Sequence, residues 1–415
     1  MTTCDLTSEE LSAPAQPVRW TIHFAALVTL GLCVSALFRQ LPNANSWELR
    51  ANNPNVAEGI AWLNGHTALP ARLLDTAVID GRVVNVYPPA VSFASAVVLG
   101  FQRFVGLPAD VWWPPLTFLA FPVALVLTTY WAAFCWLRDP WRAVVIALFW
   151  VCGTPLAPVT HFAARGEVYW INHLVSQIGL ALVLADVFRR RVSVSGGLGF
   201  LLAVWSRQMT ALFAIPLILA AWKPAPRKQL LISVAAIIVA AAGLLITNTL
   251  RTGAPFDFGY AEIYVGRTDS FAQAAASHGL WSWNYFPQNF WALHVECPFR
   301  WDWPTIVIRP NEQGASVWAT SPLLIVCLVS LWRGPRDRVM FTAFAAAVVI
   351  AVLQLRYHNS GASQFGFARF TLDFLPAVLM VGAVTLRKLP LEALLPLVAF
   401  SIYYFQILTP MLEPY

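Results

Sequence analysis

The chain has 415 residues, of which 58% are hydrophobic and only 12% charged, with 19 Trp and a net charge of +6. A soluble domain carries roughly 25% charged residues, so this composition excludes an ordinary water-soluble globule. The basic excess calls for no nucleic-acid partner, because the cytoplasmic loops of membrane proteins are rich in Lys and Arg.

In chain order, the first 17 residues are polar and acidic and lack the basic region and cleavage site of a secretory signal. They are expected to form a disordered cytoplasmic tail, with residues 18–415 as a single transmembrane domain. Apolar runs then alternate with basic clusters at Arg138/Arg142, Arg189–Arg191, Lys223/Arg227/Lys228, Arg333/Arg336/Arg338 and Arg387/Lys388. A spanning helix needs roughly 20 apolar residues, and short loops rich in Lys and Arg stay cytoplasmic. All the basic clusters therefore belong on one side.

On that basis Trp20 to Phe38 leaves the cytoplasm and Trp112 to Leu137 returns. Ala143 to Val159 goes out, Asn172 to Phe188 comes back, and Gln229 to Leu250 exits. Val317 to Trp332 re-enters, Val339 to Leu355 exits, Phe370 to Leu386 re-enters, and Leu391 to Leu408 ends outside. Val91 to Val105 is apolar, but a full crossing there would invert every later basic loop, so it is read as a re-entrant or interfacial helix on the outer face. The run Ser195 to Trp222 is basic at both ends and carries Arg207-Gln208 in its middle. A charge at the bilayer centre costs roughly 2.5–3.5 kcal/mol on insertion scales, so two short helices meeting near the outer face at Arg207 are expected. The predicted fold is all-α and polytopic, with about eleven transmembrane helices and a long first outer loop carrying membrane-lying helices.

The six cysteines are scattered and suggest neither a disulfide framework nor a metal site. No cofactor is implied, the use of a divalent ion stays open, and oligomeric state is not legible. Polar residues collect instead in two outer loops, 40–90 and 251–316, with smaller patches at His161 to Trp170 and Tyr357 to Arg369. All lie on one face under this topology.

The first loop offers the carboxylates Glu48, Glu58, Asp75 and Asp80, any of which can act as a general base on an acceptor or serve as a solvated charge or helix cap. Tyr87 follows them. The second loop is crowded with aromatics from Trp281 to Trp303, suited either to a membrane interface or to stacking on a sugar or isoprenoid. Arg207 and Arg369, near outer helix ends, suit bidentate phosphate binding; the competing expectation for Arg369 is an ion pair with Asp373 one helical turn on. Arg165, Glu167 and His173 form a weaker cluster.

Ser46-Trp-Glu-Leu-Arg50, with Ala57-Glu-Gly59 and Leu63-Asn-Gly65, resembles the acidic motif and following short helix of the C superfamily (GT-C) of integral-membrane glycosyltransferases. That superfamily includes the protein O-mannosyltransferases and the bacterial lipid A aminoarabinose transferases. Asp80-Gly-Arg82 and Tyr87-Pro-Pro-Ala90 resemble its lead-in to a membrane-lying helix, and Ser206-Arg-Gln-Met-Thr210 its break between short paired helices. Gly253-Ala-Pro-Phe-Asp-Phe-Gly259 and Gln364-Phe-Gly-Phe-Ala-Arg369 are similar to segments of uncharacterised bacterial members. The resemblance covers most of the chain as architecture, through short motifs.

It implies a polyprenyl-phosphate-linked sugar donor and transfer at the outer face of a bacterial inner membrane, with the N-terminus cytoplasmic. Glu48 would be the base by position, although Trp47 precedes it where family members often present Asp-Glu or a lone Asp. Asp75 and Asp80 therefore stay open for that role. Arg207, Arg369, Tyr87, His173 and Glu167 are the candidate substrate-binding residues. The rival readings are a lipid or solute transporter or flippase, and a non-catalytic assembly subunit.

Overall fold

The computed structural model describes residues 20–37, 53–108, 120–164, 170–222, 226–302, 307–311, 314–333, 337–361 and 367–411. The expected tail, and the candidates Glu48 and Glu167, lie outside these residues.

Three helices among the described residues are long and apolar enough to cross a membrane: Trp170–Arg189, Arg227–Thr252 and Arg338–Leu355. They occupy different environments. Trp170–Arg189 is 94% buried inside the protein, whereas Arg227–Thr252 is only 17% buried and exposes Leu231, Ile238, Ile246 and Leu250 along its length. A 26-residue helix that shows its aliphatic side chains outward fits lipid as solvent. The protein is a helical membrane protein.

Capping follows local sequence. Asp139 accepts from the Trp141 and Arg142 amides to start Pro140–Cys152, with Pro at its first position. Gly253, at φ +78°, ends Arg227–Thr252.

All-α is too strong a description, because two antiparallel hairpins interrupt the helices. Thr76–Ile79 pairs with Arg82–Asn85, and Phe299–Asp302 with Val307–Pro310. The first closes through Asp80-Gly81, both at positive φ, which is the two-residue turn whose twist matches a hairpin. Helices Pro54–Leu63 and Ala90–Phe104 flank it. Ala90–Phe104 buries Val91, Ser92, Ser95 and Leu99 and exposes Phe93, Val97, Phe101 and Phe104, an apolar outer stripe at helical spacing.

Two expected crossings are broken. Ala143 to Val159 is two helices, Pro140–Cys152 and Leu156–Ala164, bent by 63° where Gly153 and Pro155 interrupt the apolar run. Val317 to Trp332 breaks at Ser321-Pro322 into Val317–Thr320 and Leu323–Arg333. The Ser195 to Trp222 run does divide at Arg207, whose extended backbone separates Val194–Ser206 from a 3₁₀ turn, Gln208–Phe213, and the helix Ala214–Ala221. Several apolar helices, among them Phe121–Leu137 and Val194–Ser206 at 17 and 13 residues, fall short of a full span. A count of eleven crossings therefore does not follow from helix length.

The basic clusters are stitched together at one end. Arg142 donates to the Leu386 and Leu389 carbonyls, and Arg387 to that of Trp136. Arg387 also lies over the Phe188 ring, Arg190 pairs with Asp337, and Gln229 accepts from the Val192 amide.

Close backbone contact holds the central pair of helices. A Cβ on Gly179 would sit 2.4 Å from the Gly199 carbonyl and 2.6 Å from the Ala203 nitrogen, so small residues let these helices meet. Gly179→Ala is expected to cost about 1–3 kcal/mol as overpacking and lower the thermal midpoint in detergent. Gly31→Ala, with nothing within 4 Å of its added carbon, is expected to leave the midpoint unchanged or raise it.

Candidate functional site

The end opposite the basic clusters is tied down by an ion pair. Glu58, fully buried in Pro54–Leu63, accepts from both Nε and Nη2 of Arg251, from Ser92 Oγ at 2.6 Å and from Asn85 Nδ2 at 2.8 Å. Arg251, in the last turn of Arg227–Thr252, also donates Nη1 to the Tyr87 carbonyl at 2.6 Å. A buried charge persists only when paired and hydrogen-bonded, and this carboxylate is fully engaged. Glu58 is therefore structural, and its pairing anchors the first outer loop.

That anchor positions Tyr87, whose hydroxyl donates to Asp75 Oδ2 at 2.9 Å. Asp75 sits at φ +55°, a conformation Asp tolerates better than most residues, and its other oxygen lies 3.5 Å from Arg267 Nη1. Asp80 is exposed at the hairpin turn and does not line the cavity.

Asp75 and Tyr87 open onto a cavity of about 300 Å³ that is also lined by His173, Arg207 and Arg369. Five of the eight candidates from the sequence thus meet at one place, contributed by the first outer loop, the start of Trp170–Arg189, the Arg207 break and the segment before Leu375–Leu386. The remaining wall is aromatic: Tyr260, Tyr264, Phe271, Trp281, Tyr357 and Phe370, together with Gln208, Gln354 and Arg267.

The arginines are held differently from the sequence-based expectation. Asp373 pairs with Arg207, not Arg369: Arg207 donates Nε at 3.1 Å and Nη2 at 2.9 Å, and Gln354 Nε2 adds a bond at 2.8 Å. Residues Arg369–Asp373 form a 3₁₀ helix. With three residues per turn, positions four apart no longer share a face. Arg369 instead donates to the Gly361 carbonyl at 3.1 Å and lies over the Trp170 and Phe370 rings. The Phe370 ring carries Arg207 as well, 5.2 Å from its centroid.

The second outer loop closes one wall. Asn289 donates to the Leu355 and Tyr357 carbonyls, the His358 amide donates to Leu280, and the His358 ring packs on Tyr357, Tyr264 and Phe271. Burial, reinforced by Asp75, pushes the Tyr264 phenol up to about 12. Burial also lifts Tyr357 well above its usual value, so both remain neutral hydroxyls. Arg267, Gln354 and Tyr264 were not foreseen from the sequence. Gln354, an amide at the end of an otherwise apolar run, was the readable signal. Among the described residues no group of three or more His, Cys, Asp and Glu could hold a metal ion.

No family model matches the chain, and no curated protein matches it. Among solved structures, the Archaeoglobus fulgidus oligosaccharyltransferase in the apo form is similar at a TM-score of 0.49 and 14% identity, over 96% of this chain and 56% of that one. The chain thus spans little more than half the length of that protein.

Removing the cation of the buried pair, Arg251→Ala, leaves the Glu58 carboxylate uncompensated and is expected to cost about 3–5 kcal/mol, measured by thermal or urea unfolding in detergent.

Burial holds the His358 imidazole down at about 4, against an ordinary value of 6.5, with Asp269 opposing weakly. Both its ring nitrogens are buried without a hydrogen-bond partner. The folded state therefore binds fewer protons than the unfolded one. The stabilisation is fully present above pH 6.5 and is lost as pH falls from 6.5 towards 4. Hydrogen exchange in residues 260–290 is expected to accelerate over that window in the wild type and to stay flat in His358→Phe.

Proposed function

We propose that the protein is an integral-membrane glycosyltransferase that moves a sugar from a polyprenyl-phosphate donor to an acceptor on the outer face of a bacterial inner membrane. The observation that carries this reading is the single cavity in which a positioned carboxylate, two arginines and an aromatic wall meet. Transfer from a lipid phosphate needs a base on the acceptor side and charge neutralisation on the leaving side.

On this reading the acceptor oxygen bonds to the anomeric carbon and gives its proton to a carboxylate. The bond from that carbon to the phosphate oxygen breaks, and its electron pair leaves with the polyprenyl phosphate. Arg369 and Arg207 neutralise that charge. Asp373 occupies the Nε–Nη2 edge of Arg207, which leaves Nη1 for the phosphate. Asp75 is the base among the described residues, oriented by Tyr87. Glu48 remains the alternative from its place in the sequence. The exposed apolar stripe of Ala90–Phe104 suits the donor's isoprenoid tail.

The test is transfer from polyprenyl-phosphate sugars by the purified protein in vesicles. Asp75→Asn is expected to lower the rate by about 10²–10⁴-fold with donor binding retained, and Arg369→Gln to weaken donor binding. Asp80→Asn is expected to behave as the wild type. Undiminished activity in Glu48→Gln, Asp75→Asn and Asp80→Asn alike would remove the acid–base mechanism. Substrate counterflow without bond cleavage would instead identify a transporter.

A further inference from the structure

The cavity contains a second kind of chemistry that phosphate binding and proton transfer leave unused. Three side chains from three different segments line it and carry buried polar atoms with no hydrogen-bond partner among the described residues: His173 Nδ1, Gln208 Nε2 and Gln354 Oε1. His173 and Gln354 are themselves more than nine-tenths buried. Gln208 Nε2 lies by the Tyr260 hydroxyl without a hydrogen bond to it. Buried polar atoms are nearly always paired in folded proteins, and each exception calls for a cause. Three exceptions lining one cavity share one.

We propose that His173, Gln208 and Gln354 form a recognition site for the hydroxyl groups of an uncharged sugar ring, the group that the donor carries on its phosphate. The site rests on the transferase reading and names the sugar's chemical class.

The argument is one of matching donors and acceptors. Gln208 Nε2 can only donate and Gln354 Oε1 can only accept, while His173 Nδ1 does either according to its tautomer. A phosphate or carboxylate presents acceptors and leaves Gln354 unmatched. An ammonium presents donors and leaves Gln208 unmatched. A hydroxyl both donates and accepts, so adjacent hydroxyls on one ring satisfy all three.

Placement agrees with this. The His173 ring is stacked 6.1 Å from Phe370, the ring on which Arg207 and Arg369 also lie. Gln354 shares the Asp373 carboxylate with Arg207. The neutral site therefore adjoins the cationic one, as the ring of a glycosyl phosphate adjoins its phosphate. Tyr260 and Tyr357 supply aromatic faces beside it, and flat apolar faces are what the C–H side of a sugar covers.

The experiment compares binding and transfer of hexosyl polyprenyl phosphates with their monodeoxy counterparts, using sugar-free polyprenyl phosphate as the control for the cationic site. A site built to hydrogen-bond a hydroxyl rejects the analogue lacking it. The wild type is expected to lose on the order of 100-fold when one ring hydroxyl is removed. His173→Phe, which keeps the ring against Phe370, and Gln208→Met are each expected to narrow that ratio to within about threefold. A wild type that takes every monodeoxy donor as well as its parent would overturn the proposal, as would variants that keep the full ratio. Should a variant fail to fold, the wild-type panel alone decides. Failure of the transferase reading is distinguishable, because sugar-free polyprenyl phosphate would then not bind at all.

Discussion

The buried pair of Glu58 and Arg251 is the constraint on which the outer half of the molecule depends. It joins the first outer loop to the end of the long lipid-facing helix, and it does so where neither charge can find water. Its carboxylate is saturated by two guanidinium nitrogens, a hydroxyl and an amide. The loop therefore cannot shift without stranding a charge. Because Arg251 also holds the Tyr87 carbonyl, the same pair fixes the residue whose hydroxyl orients Asp75. Rigidity at the cavity mouth is thus inherited from an interaction outside it.

A second charged pair does the corresponding task deeper down. Asp373, with no exposed surface, takes one edge of Arg207 and the amide of Gln354. This links the break after Val194–Ser206 to the ends of two other helices. The break itself has a simple origin: an arginine in the middle of an apolar run cannot sit at the bilayer centre cheaply, and the extended backbone at Arg207 delivers its side chain to a protein-lined cavity.

Much of this was legible in the sequence, and the failures have physical causes. Apolar length and flanking Lys and Arg located the main helices, and the cross-ties between Arg142, Arg387, Arg190 and Asp337 hold the basic ends together as the charge pattern required. The convergence of Asp75, Tyr87, His173, Arg207 and Arg369 followed from putting the polar loops on one face. Pairing was not legible. The i, i+4 spacing of Arg369 and Asp373 pointed to an ion pair, and a local 3₁₀ geometry defeated it. Asp80-Gly81, between β-branched runs, carried a hairpin signal, yet it was weighed as a catalytic carboxylate because charge in an outer loop resembles chemistry. Glu58 looked equally available; nothing in its neighbours announced a partner nearly two hundred residues away.

The cavity's charge balance bears on turnover under the transferase proposal. Arg207 is offset by Asp373, and Arg267 by Asp269 at 2.7 Å with Asp75 beyond it. A cationic pocket built without such partners would hold the departing polyprenyl phosphate as firmly as the donor, and tight uniform binding lowers KM without raising kcat. Arginines already engaged by carboxylates present a weaker field to a resting phosphate. They still meet the charge that develops on the leaving oxygen, which is where electrostatic stabilisation accelerates a reaction. The acidic partners therefore have a reason to be in the site beyond stability: they set how much of the arginines' charge is spent on the ground state and how much is reserved for the departing group.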